Sequence, residues 1–271
     1  VPPAPSRVAE PAGPTHCAVA IIGGGPGGAY VAWRLATAQE HTNTPASDIC
    51  VFERDSRLGG RIYSIRGLGA EEDLVVDSGA YRYSSHGETP LLKALIEDGL
   101  NLPHAVYDST HDKIVESADD PDSNVGYVTF VERMMDEATA LGVQFFADSE
   151  LLSVTEPPSP ELLAAQPAVA GLSPRFELNF GSNRQRVLVG AIVCNLAQQP
   201  LLQILQRSSL DAAPPGLPRS QGETALYMPI ATTACKYYVH YDTAVSCAIA
   251  SLTVHECFAL IACVLVAVVA K

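Results

Sequence analysis

The sequence is poor in basic residues and lacks the short motifs of several common enzyme classes. It carries 17 Lys and Arg against 30 Asp and Glu, for a formal net charge of −13 over 271 residues. A chain this acidic is repelled by nucleic acids and by anionic membrane surfaces, so we expect no nucleic-acid partner. The sequence contains no G-x-S-x-G, no H-E-x-x-H, no P-loop lysine and no cluster of metal ligands. These absences argue against serine hydrolases, zinc proteases and P-loop enzymes, and predict no metal site.

The cysteines also lack the pattern of a disulfide framework or a structural zinc site. There are seven of them, an odd number, and no two form a C-x-x-C pair. Most lie in apolar runs, where cysteine behaves as a small hydrophobic residue. The chain has no N-x-[ST] sequon either. The sequence therefore neither supports nor excludes secretion.

Both ends of the chain depart from the pattern of a globular domain. Residues 1–14 hold five prolines without periodicity, which predicts a disordered leader over residues 1–16. Residues 257–270 are all apolar, but a membrane-spanning helix needs about 20 such residues. We interpret residues 243–271 as a tail that ends in a buried segment, and expect a soluble protein. Membrane association through residues 244–270 is the alternative.

A strand, a glycine turn, a helix and a second strand follow one another near the start of the chain. Residues 17–22 form a short, continuous apolar run that is typical of a strand buried on both faces of a parallel sheet. Residues 29–39 have helical periodicity, and residues 49–52 are a second apolar run. The alternation predicts an α/β fold.

The glycine turn contains G-x-G-x-x-G at Gly23, Gly25 and Gly28. The first glycine permits a tight turn, the second lets a pyrophosphate approach the backbone, and the third lets the helix pack closely on the strand. The pyrophosphate would lie on the positive end of the helix. Glu53, at the end of the second strand, can accept hydrogen bonds from the ribose hydroxyls of an adenosine. The pattern predicts a dinucleotide site, with a glycine turn that binds no ligand as the alternative.

A second glycine pair, Gly59 and Gly60, follows shortly after Glu53 and precedes Arg61. Paired glycines bring the chain close to a cofactor, and an arginine can neutralise phosphates with its planar fork of donors. A nicotinamide dinucleotide site does not need this element. A surface turn with a solvated arginine is the alternative.

These segments together resemble the FAD-binding region of flavin-containing amine oxidases. Residues 21–28, 52–54 and 58–62 carry the resemblance, and residues 77–82 are similar to the G-A-x-R segment found particularly in L-amino acid oxidases. The match is strong over residues 17–83 and resumes over residues 126–205. It implies an FAD-binding Rossmann-like domain of the glutathione-reductase type, with FAD as the cofactor and a reduced substrate domain.

The resemblance also implies roles for individual residues. Arg82 would meet a substrate carboxylate, with a salt bridge to an acidic residue as the alternative. Lys236 lies in a segment that resembles the family strand whose lysine holds a water beside the flavin, and it is the candidate catalytic residue, with an ordinary surface lysine as the alternative. The implied FAD contacts are Gly23, Gly25, Pro26, Gly27, Gly28, Glu53, Arg54, Gly59, Gly60, Arg61, Gly79, Ala80, Tyr81, Arg82 and, through its backbone, Leu151.

The rest of the chain divides by this resemblance. We expect an FAD-binding domain over residues 17–82 and 126–205, a reduced substrate-side insertion over residues 83–125, and a partial return of the substrate domain over residues 206–242. The expected activity is oxidation of a primary amine or L-amino acid to an imine, with oxygen as acceptor and a small-molecule amine or amino acid as partner. The alternative is a truncated, non-catalytic FAD- or ADP-binding remnant. The sequence does not indicate an oligomeric state.

Hydrophobic periodicity predicts further elements. We expect helices over residues 91–98, 128–141 and 200–206, strands over residues 143–146, 151–154, 175–180 and 187–195, and loops over residues 101–124 and 157–174.

Overall fold

The computed structural model describes residues 16–38, 44–69, 72, 74–84, 90–106, 113–115, 124–165, 174–181, 185–209 and 266–267. The strands are β1 His16–Ile22, β2 Ile49–Phe52, β3 Ile62–Leu68, β4 Leu74–Gly79, β5 His104–Val106, β6 Lys113–Val115, β7 Gln144–Phe146, β8 Leu151–Thr155, β9 Phe176–Phe180, β10 Arg186–Cys194 and β11 Val266–Ala267. The helices are α1 Pro26–Thr37, α2 Pro90–Ala94, α3 Thr129–Ala140, α4 Pro160–Ala165 and α5 Gln198–Arg207.

The main sheet has the strand order β7-β2-β1-β10-β9-β8, and β11 pairs with β10. The first four of these strands are parallel, whereas β9 and β8 continue the sheet in antiparallel pairing. The chain passes from β1 to β2 on one side of β1, and β10 lies on its other side. The strand order therefore reverses at β1, which is where parallel α/β sheets bind ligands. The predicted Rossmann-like α/β fold is confirmed.

The two faces of the parallel strands are buried by different elements. Ile21, Ile49 and Val51 share one hydrophobic cluster with α1 and α3. Ala20, Ile22 and Phe52 point to the opposite face and pack with β8, β9, β10 and Ile204 of α5. Burial on both faces explains why these strands read as continuous apolar runs rather than alternating ones.

The β3–β4 hairpin is fixed to the start of α3 by buried polar groups. The hydroxyl of Ser64 donates to the carboxylate of Asp77, and the same carboxylate oxygen accepts the backbone N–H of Tyr127 at 2.9 Å. The hydroxyl oxygen of Ser64 accepts the N–H of Val128 at 3.1 Å. Two β3–β4 side chains thus satisfy N–H groups just before α3, which otherwise lack intrahelical partners.

Several sequence predictions of local structure need correction. Residues 101–124 are not all loop, because β5 and β6 pair as a hairpin, and residues 157–174 contain α4. Hydrophobic periodicity did not predict β3 and β4. Helix α1 begins at Pro26 rather than at residue 29, because proline at the first helical position lacks only an N–H that has no intrahelical acceptor.

The prediction that most cysteines act as small hydrophobic residues, without a disulfide framework, needs correction for one pair. Cys17 of β1 and Cys50 of β2 form a disulfide, and both are fully buried. The bond joins the two strands that precede Gly23 and Glu53. Cys194, the free cysteine among the described residues, is partly buried, and burial raises the pKa of its thiol to about 11.

Some predictions fall on residues that the structure does not describe. Residues 1–15 of the predicted leader, the predicted substrate-domain return beyond residue 209, Lys236 and almost all of the tail lie outside the described residues. Residue 16, the last of the predicted leader, instead begins β1. Within the described ranges, no helix has the length and apolar character needed to cross a membrane.

Candidate dinucleotide site

The ends of three neighbouring strands meet where the strand order reverses. The N–H of Gly23, after β1, donates to the carbonyl of Phe52 at the end of β2, at 2.8 Å. The N–H of Asn195, after β10, donates to the carbonyl of Ile22 at 2.8 Å. These bonds hold Gly23, Glu53 and Asn195 at one edge of the sheet.

Two of the three motif glycines are required by the protein's own packing. Gly23 has a φ of +103°, and a Cβ there would lie 2.5 Å from the carbonyl oxygen of Asn195. A Cβ on Gly28 would overlap the carbonyl oxygen of Gly23. The fold itself therefore needs glycine at both positions, as a tight turn and a close helix–strand contact demand.

Gly25 is different, because the fold does not require glycine there. Its φ of −74° is available to any residue, and a Cβ would meet nothing closer than the Cα of Gly60, at 3.9 Å. Space for a side chain thus remains beside Gly25. A ligand that approaches the backbone at this point is one reason for a chain to keep glycine in an unstrained, open position.

The start of α1 has the properties of an anion-binding site. The first helical hydrogen bond runs from the N–H of Ala29 to the carbonyl of Gly25 at 3.0 Å. The N–H groups of Gly27 and Gly28 precede it, and Gly25, the N-cap residue, provides no side-chain cap. The helix dipole adds partial positive charge at this end. The Asn195 side chain packs over Gly27, where a Cβ would overlap it.

Glu53 is buried against the first glycine loop. Its Oε2 accepts the N–H of Gly24 at 2.6 Å, and its Oε1 accepts the N–H of Asp55 at 2.8 Å. Each carboxylate oxygen has a further lone pair with which to accept a ribose hydroxyl. Arg54, the next residue and another predicted FAD contact, is exposed and forms an ion pair with Asp55 at 3.2 Å.

The second glycine loop lies directly against the first. The N–H of Gly59 donates to the carbonyl of Gly24 at 3.0 Å, and the N–H of Ile62 donates to the carbonyl of Gly59 at 2.9 Å. Gly59 and Gly60 have φ values of +99° and +55°, which glycine adopts without strain. The structure thus brings together the two glycine motifs that the sequence separates by some 30 residues.

The two arginines of this loop differ in their contacts, and the sequence does not predict the difference. Arg61, the predicted phosphate contact, is exposed. Arg57 instead folds back onto the loop and donates to the carbonyls of Leu58, Gly60 and Ile62 at 3.0, 2.9 and 3.4 Å. The sequence signal that could have found it is an arginine immediately before Leu58-Gly59-Gly60.

The G-A-x-R segment follows β4 beside the second glycine loop. Gly79 pairs with Ile62 in the β3–β4 register, and a Cβ on Gly79 would overlap the carbonyl oxygen of Arg61. Gly79 and Ala80 are exposed, and Tyr81 and Arg82 are partly so. The Arg82 guanidinium lies 5.1 Å from the centre of the Tyr81 ring. The segment is therefore next to the predicted cofactor site.

Leu151 begins β8, and its side chain is buried in the core. The chain just before it reaches the site, because the N–H of Ser149 donates to the carbonyl of Glu53 at 2.7 Å. The predicted backbone contact to adenine from Leu151 stays a prediction.

A charged cluster lies within the predicted substrate-side insertion. The carboxylate of Glu97 is 2.9 Å from Lys113 Nζ, 3.4 Å from Lys93 Nζ and 3.5 Å from His104 Nε2. The buried Tyr83 hydroxyl donates to it at 3.1 Å. Burial acts to raise the pKa of Glu97, but the hydrogen bonds from Lys113 and Tyr83 and the charges of His104 and Lys113 lower it below its usual value.

Residues 21–98 match the family model of an NAD(P)-binding Rossmann-like domain. The matched segment includes both glycine loops and Glu53. No curated protein matches the chain. The family model and the strand order together establish a Rossmann-like NAD(P)/FAD-binding domain.

Three solved structures are among those to which the chain is similar. THI4 of Thermovibrio ammonificans is 13% identical, with a TM-score of 0.38 over 70% of this chain and 60% of its own. Putrescine oxidase bound to putrescine is 14% identical, with a TM-score of 0.44 over 77% and 62%. The Diels-Alderase PyrE3 of pyrroindomycin biosynthesis is 16% identical, with a TM-score of 0.39 over 67% and 32%. The chain thus spans less than two thirds of each.

Proposed function

We propose that this chain binds FAD and belongs to an FAD-dependent oxidoreductase that oxidises a primary amine or L-amino acid, with oxygen as acceptor. The observation that carries the proposal is the room for a side chain at Gly25, at the start of α1 and beside the second glycine loop. The fold explains the glycines at positions 23 and 28 but not the one at position 25. A diphosphate beside Gly25 would explain it.

The residues present fit an adenine dinucleotide. The N–H groups of Gly27 and Gly28 and the positive end of α1 would hold the diphosphate. The Glu53 carboxylate, already fixed by Gly24 and Asp55, would orient the ribose. FAD is favoured over a nicotinamide dinucleotide because the second glycine loop, which a nicotinamide site does not need, lies against the first.

The flavin, when bound, would supply the hydride-accepting chemistry. The contribution of this chain would be orientation of the cofactor and of the substrate. Arg82 follows Gly79 and Ala80 beside the second glycine loop, and its guanidinium is suited to pair with both oxygens of a substrate carboxylate. Lys236 remains the candidate for holding a water beside the flavin.

Absorbance and anaerobic reduction of the purified protein test the proposal. We expect the flavin bands at close to one FAD per chain, and bleaching on addition of an L-amino acid or a primary amine without oxygen. Titration with NADH and NADPH provides the comparison, and tighter binding of either than of FAD would contradict the choice of cofactor. A folded protein that retains FAD but is not reduced by any amine would contradict the proposed activity alone.

A non-catalytic FAD- or ADP-binding remnant is the second candidate function. The short substrate-side region favours it, because only residues 80–128 separate β4 from α3. A pocket with few walls does not exclude water from a reacting centre. Retention of ADP without reduction of bound FAD would support this candidate.

A further inference from the structure

The guanidinium of Arg57, two residues before Gly59, is hydrogen-bonded to the backbone of the second glycine loop. One nitrogen, Nη1, donates to the carbonyls of Leu58 and Ile62, and the other, Nη2, donates to that of Gly60. The guanidinium also lies 4.3 Å from the centre of the Tyr63 ring. Two nitrogens that serve three carbonyls define the position of the loop much more closely than a single bond would.

These bonds fix the direction of the peptide groups in the loop. In a trans peptide, the N–H of a residue points away from the carbonyl of the residue before it. Because the carbonyl of Leu58 faces Arg57, the N–H of Gly59 faces the other way, and it reaches the carbonyl of Gly24 at 3.0 Å. The carbonyl of Gly60 also faces Arg57, so the N–H of Arg61 points away from the guanidinium as well.

Without Arg57 this geometry would have little support. Gly59 and Gly60 have the largest conformational freedom of any residues, and ordering them costs correspondingly more entropy. A lysine at position 57 would present a compact charge rather than a planar fork, and could not replace the three bonds with the same geometry.

We propose that Arg57 is a positioning residue for the diphosphate of the bound dinucleotide. It turns the carbonyls of the second glycine loop inward, so that the main-chain N–H of Arg61 is presented to the crevice beside Gly25. The main-chain N–H of Arg61, rather than its exposed side chain, is then the contribution of this position to the cofactor. This inference rests on the proposed dinucleotide site and assigns a role to a residue that itself makes no cofactor contact.

Calorimetric titration with ADP and with adenosine tests the role of Arg57, since the two ligands differ in the diphosphate. We expect Arg57→Ala to weaken ADP binding by about tenfold or more, because the charge-assisted contact between the Arg61 N–H and the diphosphate would be lost. Adenosine binding should weaken by less than about twofold. Arg57→Lys should behave as Arg57→Ala does. Arg133→Ala is the matched control, because Arg133 is an exposed arginine paired only with Glu137 on α3 among the described residues.

An equal loss of ADP and adenosine affinity, or unchanged ADP affinity in Arg57→Ala, would overturn the inference. Failure of the wild-type protein to bind either FAD or ADP would instead overturn the proposed function, and this inference with it. The two failures are distinguishable, because the first requires a wild-type protein that binds.

Amide hydrogen exchange in the wild-type protein provides a test that needs no variant to fold. We expect ADP, but not adenosine, to slow exchange of the Arg61 N–H. Exchange of this amide at the same rate with and without saturating ADP would overturn the inference.

Discussion

Gly25 and Gly60 lie against each other although 35 positions separate them in the sequence. A Cβ on Gly60 would come within 3.3 Å of the Cα of Gly25, and a Cβ on Gly25 would lie 3.9 Å from the Cα of Gly60. The contact places the start of α1 beside the turn that follows β2. The proposed diphosphate site lies beside this contact, where Gly25 leaves room for a side chain.

Substitution of Gly25 by aspartate should separate ligand binding from stability. Aspartate is among the best N-cap residues, so we expect the free energy of unfolding to stay within about 1 kcal/mol of the wild-type value or to rise. Its carboxylate would occupy the anion site, and affinity for FAD or ADP should fall about a hundredfold or more. Gly25→Val should also lose affinity for FAD, but its side chain has no oxygen with which to cap the helix. Titration and urea unfolding measure the two effects.

Gly28→Ala is the contrasting variant. Its Cβ would overlap the carbonyl oxygen of Gly23, so we expect a loss of about 3 kcal/mol or more in the free energy of unfolding. If Gly25→Asp retained wild-type affinity for ADP, the diphosphate would not lie at Gly25. A Gly28→Ala variant as stable as the wild type would contradict the close contact between the start of α1 and the end of β1.

Replacement of Glu53 by glutamine should weaken recognition of the adenosine half. The amide of glutamine can accept hydrogen bonds only at its oxygen. It therefore cannot accept the N–H groups of Gly24 and Asp55 and also bind the ribose hydroxyls as the carboxylate would. We expect adenosine affinity to fall about tenfold and the free energy of unfolding to fall by about 1–2 kcal/mol. Glu132→Gln, at an exposed glutamate of α3, is the control. Unchanged adenosine affinity in Glu53→Gln would contradict the assignment of Glu53 to the ribose.

The parts of the site that follow from local sequence could be predicted. Gly23, Gly25 and Gly28 stand at fixed spacing after a buried strand, and their position relative to Glu53 follows from one strand–helix–strand unit. The choice between Arg57 and Arg61 could not be predicted, since both have the same side chain and lie four residues apart. Which of them folds back depends on the direction of three backbone carbonyls in the folded loop.

The missed elements of the fold have a similar explanation. Strands β3 and β4 bury the polar residues Ser64 and Asp77 at the start of α3, so the hydrophobic pattern that predicts strands is weak there. The Cys17–Cys50 disulfide could not be predicted because the two residues are 33 positions apart and meet only through the pairing of β1 and β2. Local patterns carry no information about such contacts.

Reduction of the Cys17–Cys50 disulfide should lower stability without removing the fold of the sheet. The bond closes a loop between residues 33 positions apart, for which loop entropy gives about 3–4 kcal/mol. We expect unfolding curves with and without dithiothreitol to differ by this free energy. Cys50→Val removes the disulfide and keeps an apolar side chain at this buried position. Reductant should therefore lower the stability of this variant by about 3 kcal/mol less than it lowers that of the wild type. An equal effect of reductant on both proteins would contradict the disulfide.

The Glu97 cluster should make stability depend on pH below the usual pKa of a glutamate. The pKa of Glu97 is lower in the folded protein than its ordinary value of 4.5, so its carboxylate stabilises the fold above that pH and loses this contribution as the pH falls through the folded pKa. We expect Glu97→Gln to lower the free energy of unfolding by about 1 kcal/mol at pH 7, because Lys93 and Lys113 lose their counter-charge. The difference from the wild type should shrink steadily below pH 4.5, whereas Glu161→Gln, at an exposed glutamate of α4, should show a smaller difference at pH 7. A wild-type advantage that stayed constant from pH 7 to pH 3 would show that the Glu97 charge does not stabilise the fold.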